Sequence, residues 1–198
     1  MCIRDRLKAF LTAFDAKHPI DLLIANAGVL DGRRADGSIE DADAARRVIE
    51  INLLGAIDSL HDVLPAMRRR GRGHIALISS LAALSPVTDA PAYSASKAGL
   101  LFYGKALRAA LAGENIRVSV VVPGYVTSAM TETHKGNHPG KISAEAAARL
   151  IASGIARNKA VIGFPRMLYM LSMITPFIPE AINRMATKGI RFHVVPRD

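Results

Sequence analysis

Tyr93 and Lys97 stand four residues apart in Tyr93-Ser-Ala-Ser-Lys97, and at helical pitch that spacing puts a phenol and an ammonium on one face. Together they can do proton chemistry that neither does alone. A phenol with a reference pKa of about 10 is almost fully protonated at neutral pH. An ammonium roughly 4 Å away contributes on the order of 4 kcal/mol at an effective dielectric near 20, pulling the phenol toward a range where it gives and takes protons. Desolvation opposes this, so the figure is an upper bound. The pair alone decides little: in a chain with four tyrosines it arises by chance in roughly one such sequence in six, and an ordinary surface pair is the plain alternative.

What must position such a pair is legible in the pattern around it. Leu7, Phe10, Leu11 and Phe14 share a helical face that His18-Pro19 ends. The strand Asp21-Leu-Leu-Ile-Ala25 is unbroken apolar after its first residue instead of alternating, as a parallel strand buried on both faces requires, and stops at Asn26-Ala-Gly28. After a loop rich in Asp, Gly and Arg over 31–38, residues 41–70 read as one long or two broken helices ending in arginines and glycines. A second strand over 74–80 ends in Ser79-Ser80 and leads into a helix over about 92–112 that carries Tyr93 and Lys97. A third over 117–122 is closed by Pro123-Gly124, and Ser143 opens an Ala-rich helix to about 157. A last strand falls at 160–163. Strands alternating with helices predict one α/β domain with a doubly wound parallel sheet. In such a sheet ligands bind beyond the carboxyl ends of the strands, where Asn26, Ser80 and Pro123 fall.

Composition narrows the function classes. Half of the 198 residues are hydrophobic and 22% charged, enough for a packed core. The formal charge is +9, but it divides as +1 over residues 1–99 (13 basic, 12 acidic) and +8 over 100–198 (13 basic, 5 acidic), scattered singly and without aromatic interleaving. That is a solvated basic surface, not a nucleic-acid site. Cys2 is the only cysteine, which rules out an intrachain disulfide or a cysteine-rich metal site and suits a reducing, cytoplasmic setting. No apolar run reaches the length of a membrane span or marks a signal peptide.

The pieces Asn26-Ala27-Gly28, Asn52-x-x-Gly55, Ser80 followed thirteen residues later by Tyr93-x-x-x-Lys97, and Pro123-Gly124 occur in that order. In order and spacing they resemble the short-chain dehydrogenase/reductase family, over about residues 21–128. The resemblance implies a Rossmann-like fold and an NAD(P)-dependent oxidoreductase that interconverts a carbonyl and an alcohol. It implies Tyr93 as general acid or base, and Lys97 as the group that lowers its pKa and binds the nicotinamide ribose. Ser80 would hold the substrate oxygen, with Ser79 a packing neighbour, and Asn52 would hold a water linking Lys97 to solvent. Asn26, Ala27 and Gly28 would lie beside the adenosine ribose. Pro123, Gly124 and Val126 would face the nicotinamide, with Ser128 at the position where the family usually has Thr and Thr127 as a fallback.

The family opens on a strand and Thr-Gly-x-x-x-Gly-x-Gly, which receives the pyrophosphate at a helix N-terminus; the 198 residues contain no such segment. The resemblance therefore implies an N-terminally truncated fragment, itself inactive, whose choice of NADP or NAD is not readable. Residues 1–6 resemble translated sequencing-adapter read-through and are left out of the fold. Such a fragment exposes a central strand edge and uncovered helix faces. The apolar, proline-broken segment 164–179 suggests a bulky or lipid-like substrate. It reads as a helix over a substrate pocket or between subunits of a homo-oligomer, or as a peripheral membrane contact over 164–191 with Arg166, Arg184, Lys188 and Arg191 near headgroups. A catalytically silent binding protein on the same fold is the competing reading.

Overall fold

The computed structural model describes residues 3–34, 36–128, 131, 134–135, 139–179 and 193–194. Helix α1 (Ile3–Lys17) leads into strand β1 (Leu22–Ala25), and α2 (Ala42–Ile49) passes through a π-helical turn (Glu50–Leu54) into α3 (Gly55–Arg70). Strand β2 (Gly73–Ile78) is followed by a single 3-10 turn (Leu81–Ala83), α4 (Pro91–Ala110) and β3 (Ile116–Pro123). The two-residue β4 (His134–Lys135) precedes α5 (Ala144–Ala156), β5 (Val161–Phe164), α6 (Arg166–Ile174) and the two-residue β6 (His193–Val194). The sheet runs β1-β2-β3-β5 with every pair parallel, and β4 pairs with β6 antiparallel. The doubly wound parallel sheet is thus as the alternation of elements implies.

Local chemistry sets the boundaries. Asp41 Oδ1 accepts the Ala44 N–H at 2.8 Å to start α2, and Ser143 Oγ accepts the Ala146 N–H at 3.2 Å to start α5. Gly71, at φ +65°, ends α3 in the left-handed conformation that glycine adopts at little cost. Of the two readings of 41–70, one long or two broken helices, the chain takes a continuous course through the π turn, and Asn52 sits inside it.

Successive side chains along the strands face opposite layers, and those two apart share one. Ile75, Leu77 and Val118 pack with Leu60, Val63 and Met67 of α3, while Val120 and Val122 meet Leu101 of α4. Val121, Ile162 and Phe164 turn the other way onto α5 through Ala147. Each such buried aliphatic side chain stabilises by about 1.5–3 kcal/mol.

The β1 end is less covered. Leu23 and Ala25 pack toward α3, but Leu22 and Ile24 on the opposite face are 43% and 45% exposed, and among the described residues nothing pairs with the outer edge of β1. In α1 only Leu11 of the apolar face reaches the core, with Leu7, Phe10 and Phe14 exposed. The helix begins at Ile3, ahead of the apolar pattern, and Arg4 pairs with Asp58 of α3 at 2.7 Å.

Candidate active site

At the carboxyl ends of β1 and β2 the structure brings Gly28, Asn52, Lys97, Tyr93 and Ser80 together as successive neighbours, while Pro123, Gly124, Val126 and Ser128 follow the end of β3. Ser79 N–H closes on Val121 O at 2.8 Å, and its buried hydroxyl donates to Lys97 O at 2.7 Å. Ser79 therefore ties the tip of β2 to α4, more than a packing neighbour. Ser80 turns the opposite way as cap of the 3-10 turn, its Oγ accepting the Ala82 N–H at 3.2 Å and also engaging the Tyr93 side chain. Lys97 is 4% exposed; its Nζ donates to Ile78 O at 2.9 Å and lies 5.6 Å from the centre of the Tyr93 ring.

Asn52 is fully buried and its amide is heavily engaged. Its Oδ1 accepts the Val29 N–H at 2.7 Å, while Nδ2 donates to Val29 O at 2.9 Å and to Ser96 Oγ at 3.1 Å. The π turn thus clamps the chain just past Asn26-Ala27-Gly28, and only the second lone pair of Oδ1 is left for a water. A Cβ on Gly28 would lie 3.3 Å from Asn52 Oδ1 and 3.5 Å from Lys97 Nζ, so the turn, the amide and the ammonium converge. Asn26 and Ala27 are exposed at the strand tip.

Beyond β3, the Gly124 N–H closes on Phe164 O at 2.7 Å, and a Cβ there would come within 3.0 Å of Pro165 and 3.2 Å of Leu81. A side chain there would make these neighbours give by a few tenths of an ångström, so the close approach favours glycine. Thr131 Oγ1 lies 2.9 Å from both the Val126 and the Ser128 carbonyl oxygens, one of which takes its single proton, and among the described residues the Val126 N–H has no acceptor. Ser128 Oγ lies 3.4 Å from Thr131 Oγ1, and Thr127 Oγ1 donates weakly to Ile142 O at 3.3 Å. Neither hydroxyl is buried, and both registers remain geometrically open.

The electrostatics correct one expectation. Burial raises the Tyr93 pKa and dominates; the Ser80 hydrogen bond opposes it and neighbouring Tyr125 adds to it. Lys97, expected to lower it, is held at Ile78 O and over the ring. Burial also brings Lys97 itself down to about 8. Tyr125, Thr131 and the loop contacts of Arg33 and Glu40 were not singled out from the sequence. A Ser128-x-x-Thr131 turn signal was available for Thr131; for the others no local signal exists.

The family profile described as short chain dehydrogenase matches residues 3–138. The chain belongs to the short chain dehydrogenase family. An uncharacterized oxidoreductase of Myxococcus xanthus is 34% identical over 172 residues, covering 87% of this chain and 67% of that protein. The ketoacyl reductase HetN of Nostoc is 41% identical over 116 residues, covering 58% of this chain and 39% of that protein. Among solved structures, a metagenomic short-chain oxidoreductase in complex with NADP is 37% identical with a TM-score of 0.55 over 61% of this chain and 55% of its own. A short chain dehydrogenase from Burkholderia cenocepacia in complex with NADP has a TM-score of 0.78 at 24% identity, over 92% of this chain and 73% of its own, and shows the shared fold. The chain spans from 32% to 67% of the length of the curated relatives it matches. Among the described residues no helix of this short chain dehydrogenase is long and apolar enough to cross a membrane.

Proposed function

We propose that the full-length protein is an NAD(P)-dependent oxidoreductase interconverting a carbonyl and an alcohol. The observation that carries the proposal is the convergence of the Ser80 hydroxyl, the Tyr93 phenol and the Lys97 ammonium at the tip of β2. A nicotinamide cofactor, when bound, supplies or accepts the hydride. The residues fit it: among the described residues the Lys97 ammonium has one acceptor, which leaves two of its three N–H donors for ribose hydroxyls beside Gly28. The exposed Asn26 and Ala27 suit the adenosine ribose, while Pro123, Gly124, the Val126 N–H and the Ser128 hydroxyl suit the nicotinamide side. Ser80 donates to the substrate oxygen and steadies its developing charge. Tyr93 hands that oxygen its proton in reduction and takes it back in oxidation. Asn52 fixes the turn that places Lys97 and Gly28 against each other.

A Tyr93→Phe variant of the full-length enzyme is the test. Turnover should fall by at least about a hundredfold with either cofactor; retained turnover would leave a silent binding protein on this fold as the better reading. The 198 residues lack a Gly-rich phosphate turn, so the isolated chain should bind NADPH and NADH poorly, and micromolar affinity on titration would overturn that. The single cysteine supports a reducing, cytoplasmic setting.

The α6 segment supports a bulky, apolar substrate and a second property. Met167, Met170, Leu171, Ile174 and Phe177 recur on one exposed face, with Phe177 85% exposed and no acidic residue between Arg166 and Pro179. Such a face suits an interfacial membrane contact, or the subunit contact of a homo-oligomer. Arg184, Lys188 and Arg191, expected at headgroups, lie outside the described residues. Flotation of the full-length protein with phosphatidylserine vesicles, with and without residues 164–198, separates the two. Loss of binding on truncation supports the membrane contact, and no binding by either form leaves the subunit contact.

A further inference from the structure

The helix that carries Tyr93 begins without a cap of its own. Ala90 stands at the N-cap of α4 with no side-chain acceptor, Pro91 follows, and the first-turn N–H groups need partners from elsewhere. One comes from Glu40, 52 residues away in the sequence: its Oε1 accepts the Ala92 N–H at 2.8 Å. Glu40 is 9% exposed, and its Oε2 is buried with no hydrogen-bond partner among the described residues. Burying a carboxylate with an idle oxygen is costly, which makes this an odd choice for a structural loop and a reasonable one for fixing a neighbour.

The same loop grips the approach to α4 a second time. The Arg33 N–H donates to Asp89 O at 2.6 Å and Arg33 Nε to Asp89 Oδ1 at 2.7 Å, with Asp89 2% exposed. A Cβ on Gly32 would lie 2.2 Å from Asp89 O, so the backbones approach as closely as they do only because residue 32 is glycine. Gly32, Arg33 and Glu40 thus hold α4 at Asp89 and at Ala92, on either side of its start and one residue short of Tyr93.

We propose that Glu40 is a positioning residue for Tyr93, acting as a cap in trans that fixes the first turn of α4 and with it the phenol. The inference rests on the reading of Tyr93 as the proton donor. It is tested in the full-length enzyme by Glu40→Ala and Glu40→Gln, with Asp41→Ala as a control that removes the neighbouring cap of α2. Amide hydrogen exchange at Ala92 and Tyr93 is followed alongside kcat and KM. In Glu40→Ala the Ala92 amide should exchange about fivefold faster and kcat should fall about tenfold with the cofactor KM unchanged. Glu40→Gln, which keeps an acceptor oxygen, should restore both, and Asp41→Ala should lose stability without losing kcat. Unchanged exchange and kcat in Glu40→Ala, or a Glu40→Gln variant as impaired as Glu40→Ala, overturns the proposal. Should Glu40→Ala not fold, Glu40→Asp withdraws the oxygen by one methylene and must show the same losses; wild-type kcat there overturns it as well. Turnover surviving in Tyr93→Phe would instead remove the role of Tyr93 and leave the exchange result standing.

Discussion

The Lys97 ammonium lies 2.9 Å from the carbonyl oxygen of Ile78 and 5.6 Å from the centre of the Tyr93 ring, so strand β2 and the ring face hold its charge. With burial the leading influence, the Tyr93 phenol is pushed above its ordinary value. The direction fixes how the two half-reactions respond to pH. With Tyr93 in the proposed role, reduction would consume the protonated phenol, which dominates throughout the neutral range, and oxidation would need the phenolate.

The rate of carbonyl reduction should therefore stay level across neutrality and fall only in alkali, while alcohol oxidation climbs as pH rises. Measuring kcat/KM in both directions between about pH 6 and 10 checks this, since each limb reports the ionisation of the free enzyme. Oxidation that is flat over that range would mean Tyr93 does not titrate as the base.

Lys97 makes a separate prediction about stability. Burial lowers it to about 8, whereas in the unfolded chain a lysine keeps its proton to about 10.4. Between those values the native state binds fewer protons, so stability rises with pH across that window, and below it the folded protein carries the full cost of a buried ammonium. Lys97→Met removes a penalty on the order of 3 kcal/mol at neutral pH, offset by about 1–2 kcal/mol for the Ile78 carbonyl left without its donor. The variant should lose turnover yet unfold a few degrees higher, at about 2–4 °C per kcal/mol for a domain of this size. A lower Tm in thermal unfolding at pH 7 contradicts the sign.

The parts of this site that were legible in sequence share a physical property: each depends on a short-range rule. Tyr93 and Lys97 fall on one face because a helix repeats every 3.6 residues. Asn26, Ser80 and Pro123 fall at neighbouring strand tips because parallel strands place their carboxyl ends side by side. What escaped needed tertiary knowledge. Glu40 reaches Ala92 across 52 positions, with no periodicity to announce it. The direction of the Tyr93 shift turns on burial and on where the Lys97 side chain points. The π turn at Asn52 reads as ordinary helix until Val29 is seen in its clamp. In α1 the spacing of Phe10 and Phe14 is correct for a buried face, and the surface it meets covers Leu11 alone.

That clamp should be among the most sensitive points of the fold. Asn52→Leu keeps the branched shape at a larger volume but strips Val29 of a donor and an acceptor and Ser96 of a donor in a fully buried setting. The loss should be about 2–4 kcal/mol, read as a lower urea midpoint with an unchanged m-value. The amide exchange of Val29 should rise above that of Ala44, whose partner Asp41 is untouched. Equal exchange at both sites would show the clamp to be incidental.

At the opposite end of the sheet, His74 offers a pH dependence free of catalysis. It is 8% exposed, and its Nε2 lies 2.9 Å from Ser119 Oγ, whose own proton goes to Lys159 O at 2.7 Å. The hydroxyl has one hydrogen to give, so Nε2 carries a proton and donates it to Ser119 Oγ. Burial, followed by the charges of Arg117 and Arg108, pushes its pKa below the usual histidine value. An unfolded histidine gains its proton near about 6.5, so below that pH the unfolded state binds more protons than the native one and stability falls as the medium acidifies. His74→Gln retains an N–H donor for Ser119 but cannot titrate. Urea unfolding at about pH 7.5 and 5.5, on either side of that value, should show a smaller acid-induced loss in the variant than in the wild type. The carboxylates that titrate lower contribute alike to both proteins, so an equal loss in the two would assign the acid sensitivity elsewhere.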